Sequence, residues 1–543
     1  MMISPLHNTA QQHPLQTAIR LLVRANETTD LSTGNHTQLA ASTQANSATK
    51  TQTAITTNPA HSAIRPLDIS YQQLSLHVSQ LAQTLTNSGI KQGDIIAAVA
   101  SDNVALIHLY WACVDLGCLF FPISARFSAY KVAELLNQHN VAFVYSDIKD
   151  FDQQLSTAIM AVKPLDNAKS IIQVINKINW LDLSAYDIAA QKLTTAKLTP
   201  SADAQSLPAP TIDINAPQNI ILTSGSSGHP KSAVHSLANH IHSANGASSR
   251  IALNQGDSWL LSLPLFHIGG LAIINRCALN AAAMVIQQAK CSLSDYLEHA
   301  QVTHLSLVPT QARQLLNEAL ASLSHVKAVL LGGGIIDNQL VHSFLQADIP
   351  AFSSYGMTEM SSQITTSHAN TLGHHGAVLP HRQLKVVDGM IWLKGECLFL
   401  GYLADGKIQR PLDSQGWFCS NDLGALDENQ QLTVLGRADN MFICGGENIQ
   451  PEEIESMLLR HQNVKQALVF GINDQKFGLL PAAVIDYVDG NLAGDTNQAL
   501  TDMICSQLAR FKRPRQYFLW PHNLPQAGLK VSRQQVINAL PQQ

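Results

Sequence analysis

The sequence predicts an α/β protein: a large N-terminal domain of β-sheets layered with helices, and a small α+β domain behind it. Three observations carry this prediction. The 543 residues are more than one ordinary core accommodates. From Asp94 onward, short apolar runs alternate with helical patterns, the rhythm of strands covered by helices. After Arg437 the pattern shortens and changes character, which places a domain boundary near Gly436–Asn440.

Composition narrows the function classes. Apolar residues make up 45% and charged residues 13%, so a core is easily filled. A formal net charge of −5 with scattered basic residues leaves no electrostatic footprint for nucleic acid. The eight cysteines show neither CxxC pairs nor Cys/His ligand spacing, which fits reduced thiols in a cytoplasmic protein. No run of about 18 apolar residues exists to span a membrane.

The N-terminal stretch is acid-poor and carries Arg20 and Arg24, but it lacks a secretory apolar core. The spacing of Leu15, Ile19 and Leu22 predicts an amphipathic helix there. Residues 26–63 turn to Thr, Ser, Asn, Gln and Ala, a composition that buries too little apolar surface to offset ordering entropy; they read as a mobile insertion. Order resumes at Leu67–Tyr71, ahead of a helix with Leu74, Val78 and Leu81 on one face. Strand-like runs follow at residues 95–100, 120–124, 141–146, 171–175, 219–224, 258–265, 304–309 and 328–334, with a buried helix pattern at 104–117. Beyond the boundary come a helix from Pro451, strands at 466–472 and 482–488, and a basic stretch at 509–515.

The chemistry-bearing residues begin with a Gly/Ser loop, Thr223, Ser224, Gly225, Ser226, Ser227 and Gly228, followed by Lys231. It follows an apolar run and precedes a helix-compatible segment. Its glycines let backbone N–H groups approach a phosphate, while the hydroxyls and Lys231 add donors and charge. The spacing is not that of a Walker A loop. Tyr355, Gly356, Thr358 and Glu359 follow another strand-like run, and the Glu359 carboxylate is a hard ligand suited to Mg²⁺ beside phosphates. Asp422 sits on an expected loop where it can accept from ribose hydroxyls. Arg437 and Asp439 open the boundary segment, Gly445 and Gly446 come after it, and Lys530 follows a glycine near the end. Each alone also reads as a solvated turn.

Taken in this order, the set resembles the adenylate-forming superfamily of acyl-CoA synthetases, nonribosomal adenylation domains and luciferases. The resemblance runs over nearly the whole chain after the insertion. It implies a carboxylic acid, ATP and CoA as substrates with Mg²⁺: the acid attacks the α-phosphate of ATP, pyrophosphate leaves, and a thiol displaces AMP. On this resemblance Lys530 bridges the acid and the phosphate, and Lys231, the Gly/Ser loop and Glu359-held Mg²⁺ neutralise charge. It also implies that Gly332, Gly333, Gly334 and Tyr355 flank adenine, Thr358 touches phosphate, and Asp422 and Arg437 hold ribose. Asp439, within a hinge at 437–440, then lets a mobile domain of 441–543 turn against 1–436, bringing Gly445 and Gly446 to a CoA tunnel. Leu529 departs from the family's Gly-Lys ending, which leaves Arg533 as a weaker substitute for Lys530.

Within the superfamily, residues 263–270, 441–455 and 528–533 look most like the o-succinylbenzoate–CoA ligases of menaquinone biosynthesis. Such a diacid carries a spectator carboxylate that is costly to bury unpaired. Arg276 is the candidate cation, directly or through water, although an arginine in a helix is also an ordinary surface cation. His267 and Gly269 fall at the acyl pocket, and Ser361, Ser362 and Gln363 add hydrogen bonds. Another aryl or medium-chain acyl-CoA synthetase, a carrier-protein adenylation enzyme and a non-catalytic adenylate binder stay open, and the resemblance admits a homo-oligomer.

Overall fold

The computed structural model describes residues 2–24, 64–141, 143–160, 179–180, 209–223, 230–287, 291–444, 447–474, 477–488, 500–505, 508–521, 524 and 533–541. The expected insertion at 26–63 and the strand at 171–175 lie outside them, as do Ser224, Gly225, Ser226, Ser227, Gly228, Gly445, Gly446 and Lys530.

Two eight-stranded sheets dominate the described part of the large domain. The first has parallel strands Phe143–Ser146, Ile95–Val99, Leu119–Ile123 and Pro217–Thr223, continued antiparallel by Lys231–Ser236, Gly401–Ala404 and Lys407–Gln409. The second runs Ala283–Ile286, Ser258–Leu261, His304–Leu307, Ala328–Leu331 and Ala351–Met357 in parallel, and Ser362–His368 closes that edge antiparallel. A four-stranded antiparallel sheet, Arg382–Val387, Met390–Gly395, Phe418–Leu426 and Leu432–Arg437, leads to the small domain.

Local chemistry explains the element ends. Ser70 caps the helix Tyr71–Asn87 in a capping box with Gln73. The helix Asn103–Leu116 starts on the Asp102 side chain and stops at Gly117 in the left-handed conformation. Residues Val104 to Val114 of that helix are all buried, as an all-round apolar helix must be. Its side chains, those of the helix Ile268–Leu279 and residues of both large sheets join one core that includes Trp111, Phe120, Trp259 and Met284.

Three expectations are corrected. The stretch around Leu15, Ile19 and Leu22 is not a helix: Ser4 caps a short helix, Pro5–Gln12, and Thr17–Arg24 is a strand. Leu15 is 85% exposed, whereas Ala18, Ile19, Leu21 and Leu22 are buried on both faces of the strand. A doubly buried strand has no period-two signal to separate it from a helix face. The Gly/Ser loop does not run into a helix; it joins antiparallel strands, with Lys231 paired to Thr223. The helix begins only at Leu237, on a Ser236–Asn239 capping box. Asp422 lies not in a loop but within the strand Phe418–Leu426, beside the left-handed Asn421.

The small domain has a five-stranded sheet including Phe442–Cys444, Val464–Asp474, Gly478–Tyr487 and Gln516–Leu519, with the helix Pro451–Leu458 packed on it. Arg533, the fallback for Lys530, is spent inside this domain. Its Nη1 pairs with buried Glu455 at 2.6 Å and also donates to the Val469 carbonyl. Among the described residues no helix is long and apolar enough to cross a membrane.

Candidate active site

The site forms where three sheets meet, and hydrogen bonds tie those sheets together. Tyr355, near the C-terminal end of the strand Ala351–Met357, donates its hydroxyl hydrogen to Asp422 Oδ2 at 2.6 Å. Burial raises the Tyr355 pKa well above its ordinary value, and the Asp422 charge adds to this, so the phenol stays a donor. The other Asp422 oxygen accepts from Arg437 Nη1 at 3.3 Å. Arg437 also grips Asp439 through Nε at 3.0 Å and Nη2 at 2.8 Å. The hydrogen bonds to Asp439 are the first cause of the raised Arg437 pKa, so this guanidinium stays charged. Tyr355, Asp422, Arg437 and Asp439 therefore form one chain from the second large sheet to the boundary segment.

Gly332, Gly333 and Gly334 follow the strand Ala328–Leu331, which pairs with the strand carrying Tyr355. Gly356 has a steric reason to be glycine: a Cβ there would lie 2.3 Å from the Ser362 carbonyl oxygen.

Thr358 and Glu359 occupy a tight 3₁₀ turn, Thr358–Met360. The Glu359 carbonyl accepts from the Phe399 N–H at 2.8 Å, and Glu359 Oε1 accepts from the Tyr402 hydroxyl at 2.6 Å. Lys231 Nζ lies 5.1 Å from the centre of the Tyr402 ring, in the cation–π range. Lys231, Tyr402 and Glu359 thus line up across two sheets, with Thr223 directly opposite Lys231. Glu359 is 7% exposed and burial raises its pKa, an effect the Tyr402 hydrogen bond opposes. A divalent cation would oppose it further. Among the described residues no group of three His, Cys, Asp or Glu side chains is arranged around a metal. One carboxylate beside nucleotide phosphates fits Mg²⁺, which keeps several waters and takes phosphate oxygens.

On the acyl side the structure brings Arg276, Ser362 and Gln363 together. His267 precedes the helix Ile268–Leu279, whose first turn holds Gly269 and Gly270; a Cβ at Gly270 would meet the Pro264 carbonyl at 2.3 Å. Arg276 in this helix is 3% exposed, not a surface cation. Its Nη2 donates to Gln363 Oε1 at 2.5 Å and Ser362 Oγ at 3.3 Å, and the guanidinium lies 5.0 Å from the Trp259 ring centre. Among the described residues no carboxylate pairs with it, and its buried Nε has no partner. Burial, and secondarily nearby Arg382, lowers its pKa to about 10. Ser361 and Ser362 have φ of 53° and 117°, backbone that non-glycine residues adopt only under local constraint. The constraint is visible: the Ser361 carbonyl accepts from Ser243 Oγ at 2.7 Å, and Ser361 Oγ donates to the Cys397 carbonyl at 3.0 Å.

A model of the AMP-binding enzyme family matches residues 49–403, and a model of its C-terminal domain matches residues 453–528. The chain belongs to the AMP-binding enzyme family. Relatives of this AMP-binding enzyme include a 2-succinylbenzoate–CoA ligase of Salmonella typhimurium, 40% identical over 466 residues, covering 86% of this chain and 91% of that protein. The Haemophilus influenzae 2-succinylbenzoate–CoA ligase is 31% identical, covering 87% and 93%. A variant of Escherichia coli MenE with bound OSB-AMS has a TM-score of 0.72 at 26% identity, over 98% of this chain and 97% of that one. Bacillus subtilis MenE in complex with the acyl-adenylate intermediate OSB-AMP has a TM-score of 0.72 at 25% identity, over 95% and 94%. Within the AMP-binding enzymes the chain groups with the 2-succinylbenzoate–CoA ligases.

Sequence reasoning missed Tyr402, Trp259, Ser243 and Arg382. Tyr402 sits on a short strand 43 positions along the chain from Glu359, with no spacing to betray it. Arg382, 6% exposed and donating to the Pro380 and Ser243 carbonyls, opens a strand of mixed polar and apolar residues that carried no readable signal.

Proposed function

We propose that the chain is an ATP-dependent 2-succinylbenzoate–CoA ligase that works through an acyl-adenylate. The observation that carries the substrate is Arg276: a buried guanidinium with neutral partners and no paired carboxylate among the described residues. A buried cation in that state is costly unless an anion joins it, and a second carboxylate on the substrate is such an anion.

The roles below complete the proposal, supported for the described residues by the contacts above. Asp422 and Arg437 hold the ribose, and Tyr355 and the Gly332–Gly334 segment flank adenine. Lys231, Thr358 and the loop after Thr223 bind the phosphates. Glu359 holds Mg²⁺, which when bound neutralises phosphate charge. The activated carboxylate lies between Lys530 and the α-phosphate, with His267, Gly269, Ser361, Ser362 and Gln363 around the acyl group. We place the hinge at 437–440: Asp439 is held by Arg437, and turning there breaks that pair as the small domain brings Gly445 and Gly446 to the thiol. The enzyme acts in the cytoplasm, where ATP and CoA are available and free thiols persist.

Incubating the protein with ATP, Mg²⁺, CoA and an equimolar mixture of 2-succinylbenzoate, benzoate and octanoate tests this. Mass spectrometry should find the diacid thioester dominating. Dominance of a monocarboxylate thioester would overturn the substrate.

A further inference from the structure

The strand that follows the Gly/Ser loop also carries a buried histidine, His235, that the roles above leave unused. Its Nε2 lies 2.8 Å from the Thr358 carbonyl oxygen. A carbonyl only accepts, so Nε2 carries the proton and Nδ1 is an acceptor. Asn219 Nδ2 approaches that Nδ1 at 3.5 Å, and Asn219 Oδ1 in turn accepts from His240 Nε2 at 2.7 Å. The three side chains are nearly or fully inaccessible, and the two rings lie 5.4 Å apart. Burial holds His235 neutral, with its pKa lowered to about 4, and burial also lowers that of His240 well below its ordinary value. Every hydrogen in the chain therefore points one way, from His240 through Asn219 and His235 to Thr358.

Within the turn Thr358–Met360 the Ser361 N–H also donates to the Thr358 carbonyl at 3.0 Å, and the turn has few other ties to its surroundings. Phe399 holds the Glu359 carbonyl, Tyr402 holds the Glu359 carboxylate, and Ser243 holds the Ser361 carbonyl. The Thr358 carbonyl is the point where the strand of Lys231 is tied directly to the turn of Thr358 and Glu359. We infer that the His240–Asn219–His235 chain is a positioning device for adenylate formation, fixing the phosphate-side turn to the strand that bears Lys231. This rests on the roles proposed above. The device acts on the first half-reaction alone, because the phosphates of ATP are the groups that Thr358, Glu359 and Lys231 serve.

His235→Leu removes the side-chain donor to the Thr358 carbonyl and leaves it only the Ser361 N–H at 3.0 Å within the turn, whereas the amide nitrogen of His235→Gln reaches the position of Nε2. The first half-reaction is read as ATP–pyrophosphate exchange with the diacid, and the second as thioester formation from supplied acyl-adenylate and CoA. Calorimetry of ATP·Mg²⁺ binding needs no acid. His235→Leu should lose roughly 10- to 100-fold in exchange, bind ATP·Mg²⁺ more weakly, and keep the second half-reaction within about twofold; His235→Gln should recover most of the exchange. If His235→Leu does not fold, the shorter His235→Asn, which stops short of Thr358, takes its place with the same expectation. Equal losses in both half-reactions, no loss in exchange, or no recovery in His235→Gln would overturn the inference. Absent exchange in the wild type alongside weakened ATP·Mg²⁺ binding in His235→Leu would instead fault the substrate assignment and leave the positioning intact.

Discussion

Replacing Arg276 with methionine separates substrate recognition from stability. The variant keeps the bulk of the side chain but removes a guanidinium that is 3% exposed and has no carboxylate partner among the described residues. Truncating one partner of a buried, hydrogen-bonded charge pair costs about 2–4 kcal/mol, which at 1.36 kcal/mol per decade is roughly a 30- to 900-fold loss. That loss should appear in kcat/KM for 2-succinylbenzoate. Benzoate, with no second carboxylate, should lose little. Stability should move the other way. Lowering this guanidinium from 12.5 to about 10 corresponds to roughly 3 kcal/mol against its charged form, and at neutral pH it remains charged, so that cost is fully expressed. Arg276→Met should therefore melt at the wild-type temperature or above it. The assay is steady-state pyrophosphate release with each acid, beside thermal melts of both proteins. Equal falls for diacid and monoacid, or an unchanged preference for the diacid, would refute the reasoning.

Three further outcomes follow from other parts of the molecule. Tyr402→Phe removes the hydroxyl that donates to Glu359, costing about 1.5–3 kcal/mol on the carboxylate. The Mg²⁺ requirement of adenylate formation should rise roughly tenfold or more, and the acid limb of its pH profile should move to higher pH, because the lost bond favoured the ionised form. Arg533→Met strands buried Glu455 and should destabilise the small domain by about 3–5 kcal/mol in urea unfolding. Burial already raises the Glu455 pKa, and losing Arg533 raises it further, so the deficit should shrink as the pH falls through that value. Replacing residues 26–63 with a short turn should leave kcat unchanged, since the strands on either side pair up to Arg24 opposite Ile64; a large fall in kcat would count against this.

Much of the architecture was legible because most strand–helix units of the large domain have an unambiguous period or length. The stretch Thr17–Arg24 was not, because a strand buried on both faces offers the same apolar run as a helix stripe. Asp422 was misplaced for a related reason: the Ser-Asn-Asp sequence is turn chemistry, and Asn421 does adopt a left-handed conformation, but inside a continuing strand. The polar candidates of the nucleotide side could be picked from order and residue type. What could not be read were the contacts that fix them, such as Tyr402 on Glu359 and His235 on Thr358, because they join residues 43 and 123 positions apart. Arg276, named from the sequence as the cation for a buried carboxylate, is 3% exposed, which fits that reading and not the surface-cation alternative. The helix Ile268–Leu279 is apolar almost all round, so a lone arginine in it had to be buried.

The most direct test of the account is a two-stage measurement on the purified protein. With ATP, Mg²⁺ and 2-succinylbenzoate but no CoA, it predicts a burst of pyrophosphate about equal to the enzyme present and an adenylate that mass spectrometry identifies. Adding CoA should release AMP, form the thioester and restart pyrophosphate release. Pyrophosphate that appears only when CoA is present, with no adenylate before it, would contradict the two-step account.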